Sequence, residues 1–217
     1  DRMDKCFKIS KSFVNESKGL HIHLDCADFV DNQKNAIRLT NTYFVIEPIL
    51  WTMLPQSRRN NHFCLPLQNI ISLRDYRQMV RTQSRKDLYY LHKKWYKVNN
   101  VAFLKNIGSL GKHSGTRSHG FNLHSLLALG HIELRYHPGT VNADKVRNWI
   151  WLHLHIFDWV INSYSRNKIE AIQNTKSLDK KKALFYKHFA IPDLLQKYIE
   201  YRSFRFSDQS INEWDDD

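Results

Sequence analysis

Apolar and polar residues alternate over residues 19–26, which predicts a β-strand because successive side chains of a strand point to opposite faces. One face is aliphatic and the other is polar: Leu20, Ile22 and Leu24 alternate with His21, His23 and Asp25. The same alternation predicts a second strand over residues 132–136, before the turn signal at 138–139. Its apolar positions are Ile132, Leu134 and Tyr136, and its polar positions are Glu133, Arg135 and His137.

Apolar residues at helical spacing predict several helices. One covers residues 29–53, where Pro48 is expected to kink the helix or to end its first part. The most regular pattern begins at residue 142 or 143 and ends at residue 164. Shorter helices are predicted over residues 86–96, 179–189 and 192–202, while residues 56–73 are expected to form a loop.

Neither an internal repeat nor a low-complexity linker divides the sequence, so a single domain over residues 1–217 is expected. Residues 165–217 are interpreted as a helical C-terminal extension of that domain. Four glycines fall within residues 108–120 and predict a mobile loop there, which is suited to closing over a site.

Charge narrows the classes of ligand. Lys and Arg total 33 against 21 Asp and Glu, a net charge of +12, and the excess is concentrated in residues 74–117. Such a block attracts the phosphates of a nucleotide or a nucleic acid, although a solvated basic face is the simpler alternative. The three cysteines form no C-x-x-C pair, and no stretch reaches the ~18 apolar residues of a membrane span. A cytoplasmic location is therefore expected.

The polar faces of the two predicted strands carry the candidate chemistry. If both strands lie in one sheet, His21 or His23 can share a divalent cation with Glu133. Arg135 then lies beside that cation, where a guanidinium holds a carboxylate or phosphate with two hydrogen bonds. Either strand alone is equally typical of an ordinary polar sheet face with a cross-strand ion pair.

Three segments of the sequence together resemble the amidoligase family, whose members share the glutamine-synthetase-like fold. They are S-K-G-L-H-I-H at residues 17–23, P-Q-S-R-R-N at 55–60 with Cys64, and F-N-L at 121–123 followed by H-I-E-L-R-Y-H-P-G-T at 131–140. The resemblance runs from about Ser17 to Trp159. It implies an α+β fold with a curved, mainly antiparallel sheet and helices packed on one face.

The resemblance also implies roles for individual residues and two cofactors, ATP and Mg²⁺ or Mn²⁺. His21 and Glu133 align with metal ligands, and His23 aligns with a residue at the nucleotide or around the metal. Arg135 aligns with an arginine that grips the substrate carboxylate or the transferred phosphoryl group. Two further positions are implied at the nucleotide, an arginine over the phosphates and an amide: Arg58 or Arg59, and Asn122.

This sequence departs from the family pattern in two places. Lys18 replaces a small residue in the turn before the first strand. The family also has an E-x-E strand upstream of H-x-H, and residues 1–16 supply no such pair. The domain is therefore expected to lack its N-terminal E-x-E region, which residues before Asp1 or another chain would complete.

The function that the resemblance implies is an ATP-dependent carboxylate–amine ligase, forming an amide or isopeptide bond through an acyl phosphate. Its partners would be an amino-acid or peptide carboxylate and an amine, with nucleic acid less favoured and no membrane. One alternative is a catalytically incomplete relative acting as a basic nucleic-acid or structural binding protein. Another is a metal-dependent hydrolase, because His21-x-His23-x-Asp25 begins like an H-x-H-x-D-H motif, although Cys26 stands where its last histidine would be.

Overall fold

A computed structural model of the protein describes residues 2–10, 18–29, 33–84, 86–87, 90 and 118–208. In this part of the chain helices predominate beside a small antiparallel sheet, so the fold class is α+β, as expected. Most of the predicted helix at 86–96 lies outside the described residues, and so does the glycine-rich loop up to residue 117.

The elements are short strands and helices of very different lengths. The strands are β1 (Ile22–Asp25), β2 (Phe121–Asn122) and β3 (His131–Leu134). The α-helices are α1 (Arg2–Ile9), α2 (Gln33–Thr52), α3 (Gln56–Arg59), α4 (Leu73–Thr82), α5 (His124–Leu129), α6 (Ala143–Asn162), α7 (Arg166–Asn174), α8 (Leu178–Phe189) and α9 (Asp193–Arg205). Single 3-10 turns occupy Ala27–Phe29 and Leu67–Asn69.

Both strands predicted from the sequence are confirmed, and so are the helices that became α2, α6, α8 and α9. Of the two effects expected of Pro48, a kink or an end of the first part of the helix, the second is wrong, because α2 continues through Pro48. Proline removes one helical hydrogen bond, but the neighbouring Ile46, Ile49 and Leu50 are fully buried, and that burial holds the helix together.

The prediction of a loop at 56–73 is wrong in part. Helix α3 and the 3-10 turn Leu67–Asn69 lie in that range, and each is preceded by a proline, Pro55 or Pro66, in extended backbone conformation. Proline fixes φ near the value that a helix start requires, so it favours helical turns directly after it.

The chain divides into two compact units. We call Ile22–Glu47 with His62–Arg135 the sheet unit, and Asp1–His21 with Pro48–Asn61 and Tyr136–Asp217 the helical unit. Helix α2 contributes residues to both.

The sheet unit is organised around β3, the central strand, with β1 and β2 paired to it in antiparallel orientation. Apolar residues face each other in the β1–β3 register, with Ile22 opposite Leu134. Tyr43 of α2 stacks on Phe121 of β2, with ring centroids 4.7 Å apart. Ile22, Ile132 and Leu134 are therefore core positions, as the alternating pattern predicts, whereas Leu24 is only half-buried.

A buried carboxylate also anchors this unit. Glu47 is 1% exposed, and both of its carboxylate oxygens accept a hydrogen bond from the backbone N–H of Leu67, at 3.1 and 2.9 Å. That N–H belongs to the first residue of the 3-10 turn Leu67–Asn69, so Glu47 provides the acceptor for a backbone donor at the start of the turn.

The helical unit is built on α6, whose start is capped by the Asn142 side chain, which accepts hydrogen bonds from the backbone of Asp144 and Lys145. Later in α6, Trp159 stacks on Phe189 of α8 at 3.9 Å between ring centroids. The described residues include no helix that is both long and apolar enough to cross a membrane.

Two histidines are fully buried in the helical unit. His153 lies against Trp149, with ring centroids 4.5 Å apart, and burial lowers its pKa to about 3. His137 has a pKa held well below its usual range, mainly by burial and then by the charges of Arg202, Lys145 and Arg58. Both imidazoles are therefore neutral at physiological pH.

These depressed pKa values predict that the protein loses stability as pH falls below ~6.5, the pKa of histidine in the unfolded chain. Below that pH the unfolded state binds protons that the buried imidazoles of the folded state do not bind, so the free energy of unfolding falls. Above that pH neither state binds these protons, and the full stability is present. Each such histidine should cost about 2 kcal/mol between pH 6.5 and pH 5.

Denaturant unfolding at several pH values checks this expectation. His153→Gln should flatten the slope of unfolding free energy against pH, whereas His62→Gln, at an exposed position, should leave it unchanged. Equal slopes for wild type and His153→Gln would contradict the assignment.

Candidate functional site

The sheet places His23 and Glu133 directly opposite each other on the paired strands β1 and β3. The Nε2 atom of His23 lies 3.7 Å from Oε1 of Glu133, and their side chains are 49% and 6% exposed. The pair thus joins a half-exposed imidazole to a buried carboxylate, with one side open to a ligand.

Two neighbours hold the other carboxylate oxygen of Glu133. The side-chain amide of Asn122, on β2, donates a hydrogen bond to Oε2 at 2.8 Å. The Nη1 atom of Arg135 lies 3.8 Å from the same oxygen. Burying a carboxylate is costly unless it is paired and hydrogen-bonded, so these contacts offset the cost of burying Glu133.

Asn122 is itself locked in place. It is fully buried, and its side-chain oxygen accepts a hydrogen bond from the backbone N–H of His124 at 3.0 Å. That N–H belongs to the first residue of α5, so one amide fixes both the carboxylate and the start of the helix.

His131 extends the polar face of β3 and was not among the predicted site residues. Its ring packs edge-on against that of His23, with centroids 4.5 Å apart. Burial, followed by the charge of His23, lowers its pKa. The available signal was its position two residues before Glu133, which places both side chains on one face of the strand.

These side chains meet the distance requirement for a shared cation. Two atoms that each ligate an ion at about 2.1 Å lie at most about 4.2 Å apart, and 3.7 Å for His23 and Glu133 satisfies this limit. His21, two residues before His23 in the sequence, belongs to the helical unit and stays a predicted ligand. Imidazole and carboxylate together suit divalent cations from Mg²⁺ and Mn²⁺ to Zn²⁺.

In the helical unit, His21 has Arg58 as a neighbour across Gly19. A β-carbon added at Gly19 would lie 3.3 Å from both terminal nitrogens of Arg58 and 3.4 Å from Nε2 of His21. Arg58 is 3% exposed, and its Nε donates to the carbonyl of Tyr136 at 3.1 Å. Glycine at this position leaves room for the guanidinium beside the imidazole.

Arg59 has different surroundings from those of Arg58. Its guanidinium donates to the backbone carbonyls of Leu54, Thr52 and Phe206, at 2.7, 3.2 and 2.9 Å. Burial lowers its pKa. The sequence left open which arginine serves the site, and the two now differ in that Arg58 lies beside His21 while Arg59 binds carbonyls that end helices.

Other predicted features have structural contacts. His155, on α6, places Nε2 2.9 Å from the carbonyl of Phe189. Cys26 and Cys64 are buried and Cys6 is exposed, all as free thiols. Burial raises the pKa of Cys26 to about 12, so it is a neutral packing residue.

Comparison with known proteins gives one finding. A family model described as "Putative amidoligase enzyme" matches residues 6–157, which include β1, all of the sheet and most of α6. Neither the curated proteins nor the solved structures give a match.

The contacts of Asn122 generate a prediction about stability. Asn122→Ala removes a hydrogen bond to a buried carboxylate and another to the first residue of α5, and should lower the free energy of unfolding by about 2–4 kcal/mol. Denaturant unfolding measures this loss. Asn148→Ala, on the half-buried side of α6, is the control and should cost less than about 1 kcal/mol; equal losses would contradict a special role for Asn122.

Proposed function

We propose that this chain, which belongs to the amidoligase family, joins a carboxylate to an amine at the expense of ATP. Membership of the family indicates an amide-forming ligase. The observation that carries the finer proposal is the buried Glu133 carboxylate opposite His23, with Arg135 at its side. Such a group of residues suits a reaction in which phosphate charge has to be neutralised.

In this proposal Glu133 and His21 hold a divalent cation, Mg²⁺ or Mn²⁺, and His23 binds the nucleotide or supports the metal. The donor set fits because the His23 imidazole lies 3.7 Å from the buried Glu133 carboxylate, and His21 is included because it aligns with a metal ligand of the family pattern. When bound, the ion neutralises the phosphates of ATP and polarises the phosphoryl group to be transferred. Asn122 holds the Glu133 carboxylate in its orientation.

Arg135 is the residue proposed to bind the substrate carboxylate or the transferring phosphoryl group. Its side chain is 15% exposed and lies 3.8 Å from Glu133, so its guanidinium stands beside the carboxylate that would hold the cation. Two parallel N–H donors match the two oxygens of a carboxylate or phosphoryl group. Arg135 thereby orients the group that reacts.

The reaction proceeds in two balanced steps. A carboxylate oxygen attacks the terminal phosphorus of ATP, the bond to the bridging oxygen breaks, and ADP leaves an acyl phosphate behind. The amine nitrogen then attacks the acyl carbon, phosphate departs with its bonding electrons, and the nitrogen loses a proton. Exclusion of water from the second step prevents hydrolysis of the acyl phosphate.

A metal-dependent hydrolase is a second candidate, because an imidazole and a carboxylate such as those of His23 and Glu133 also suit Zn²⁺. The two candidates differ in the cation and in the need for nucleotide. Tight Zn²⁺ binding without ATP favours the hydrolase, whereas weak Mg²⁺ or Mn²⁺ binding that ATP strengthens favours the ligase.

The ligase proposal predicts phosphate release that requires Mg²⁺, ATP, a carboxylate and an amine together. We expect Glu133→Gln to lower that rate at least about 100-fold, because it removes the ligand charge while keeping the shape of the side chain. Phosphate release from a mixed amino-acid pool measures the rate, and thermal unfolding checks the fold. A Glu133→Gln protein with wild-type turnover would sink the assignment.

A separate prediction concerns the cation. His23→Gln should weaken Mn²⁺ binding in the presence of ATP about 10- to 100-fold, the usual cost of altering a metal's surroundings. His62→Gln is the matched control because it removes an exposed histidine that is not a proposed metal ligand. Titration of Mn²⁺ followed by electron paramagnetic resonance gives the affinity, and equal affinities for the two variants would exclude His23.

A further inference from the structure

Helix α9 contacts the segment that carries Arg58, although α9 lies beyond the residues that match the family. The Nε atom of Arg202 donates to the carbonyl of Met53 at 3.1 Å. The hydroxyl oxygens of Ser203 and Thr52 lie 2.7 Å apart. Both contacts fall on the end of α2, a few residues before Arg58.

Arg59 makes the third contact, in the opposite direction. One of its terminal nitrogens donates to the carbonyl of Phe206, directly after α9, and also to the carbonyl of Thr52. Its Nε donates to the carbonyl of Leu54. Hydrogen bonds therefore connect the turn between α2 and α3 to α9 and the residue after it, both before Met53 and Leu54, at Thr52, and after them, at Arg59.

Burial of the charged Arg202 side chain costs free energy, so packing alone does not explain an arginine at this position. It is fully buried, and its guanidinium lies 4.8 Å from the ring centroid of Phe206. Burying a cation is unfavourable unless it is paired or hydrogen-bonded, and such contacts need a defined geometry. A side chain so constrained fixes the position of what it binds, here the carbonyl of Met53.

Arg58 depends on this turn for its position. It stands in the four-residue helix α3, which is too short to be stable without its surroundings. Its guanidinium reaches Gly19 and His21 only while α3 keeps its place, and a displacement of about 1 Å at a reacting group can cost about 100-fold in rate.

We propose that Arg202 is a positioning residue for Arg58, so that the C-terminal helix α9 is a required part of the ligase. Arg58 binds the nucleotide phosphates, the role that the family resemblance gives to Arg58 or Arg59, and Arg59 is structural. The proposal rests on the proposed ligase function for its kinetic consequences, but its structural part is independent of that function.

A double-mutant cycle on the full chain tests the proposal through phosphate release in the ligation assay. Arg58→Lys should lower kcat/KM about 100-fold and Arg202→Gln about 10-fold. If Arg202 acts through Arg58, the double variant should be no slower than Arg58→Lys alone. Independent losses that multiply to about 1000-fold would overturn the proposal.

Lys197→Gln is the matched control, since it removes an exposed cation from the same helix and should leave kcat/KM unchanged. If Arg202→Gln does not fold, Ser203→Ala removes the neighbouring contact of α9 with Thr52 and should lower kcat/KM a few-fold. Unchanged kinetics in a folded Arg202→Gln protein would also overturn the proposal.

A structural readout separates failure of this proposal from failure of the ligase function. The Arg58 Nε–H donates to the Tyr136 carbonyl, so its nitrogen resonance reports whether the guanidinium keeps its place. We expect Arg202→Gln to shift that resonance and to speed its hydrogen exchange, while Lys197→Gln does neither. If the wild-type protein shows no ligation but Arg202→Gln still shifts this resonance, the ligase is refuted and the positioning role is supported. If Arg202→Gln leaves the resonance unshifted, the positioning role is refuted.

Discussion

The buried carboxylate of Glu133 is the constraint around which the sheet is built. A carboxylate in a protein interior costs several kcal/mol unless hydrogen bonds and opposite charge compensate for it. Each strand supplies part of that compensation. β2 contributes the Asn122 amide, β1 brings His23, and the continuation of β3 contributes Arg135. The sheet is small, yet each pairing brings a group to this one side chain.

In the helical unit, backbone groups bring segments that are distant in the sequence together. Residues 136–139 pair with 18–20: the N–H of Leu20 donates to the carbonyl of His137, and that of Gly139 to the carbonyl of Lys18, each at 3.0 Å. Arg58 then takes the carbonyl of Tyr136. Main-chain groups thus hold both His21 and Arg58, which explains how residues far apart in sequence reach one another without a long strand.

The sequence predicted the strands because their alternation is strict. Their place in one antiparallel sheet was implied only by the resemblance to the amidoligase family. β2 has two residues and shows no periodicity, so it could not be recognised. Helix α4 was not predicted, although Ser72 and Asp75 form a capping box at its start, which is a recognisable signal in the sequence. Its arginine-rich composition suggested a solvated block instead.

The choice between Arg58 and Arg59 shows where sequence reasoning stops. The two residues are adjacent and chemically identical, and the family pattern itself does not say what surrounds each of them. The difference comes from contacts with residues about 80 and 147 positions further along the chain, Tyr136 and Phe206. Such tertiary contacts leave no pattern in the local sequence. Only the folded chain shows that Arg59 binds backbone carbonyls, whereas the Arg58 guanidinium lies beside His21.

The register of the sheet explains why fold and site cannot be separated here. A shift of one residue between β1 and β3 would place an aliphatic side chain opposite Glu133 and turn His23 toward the core. The apolar pair Ile22–Leu134 would be lost in the same movement. Hydrophobic burial therefore selects the register, and the register selects the ligand geometry. Substitutions that weaken the aliphatic face should disturb the site even though they touch none of its polar groups.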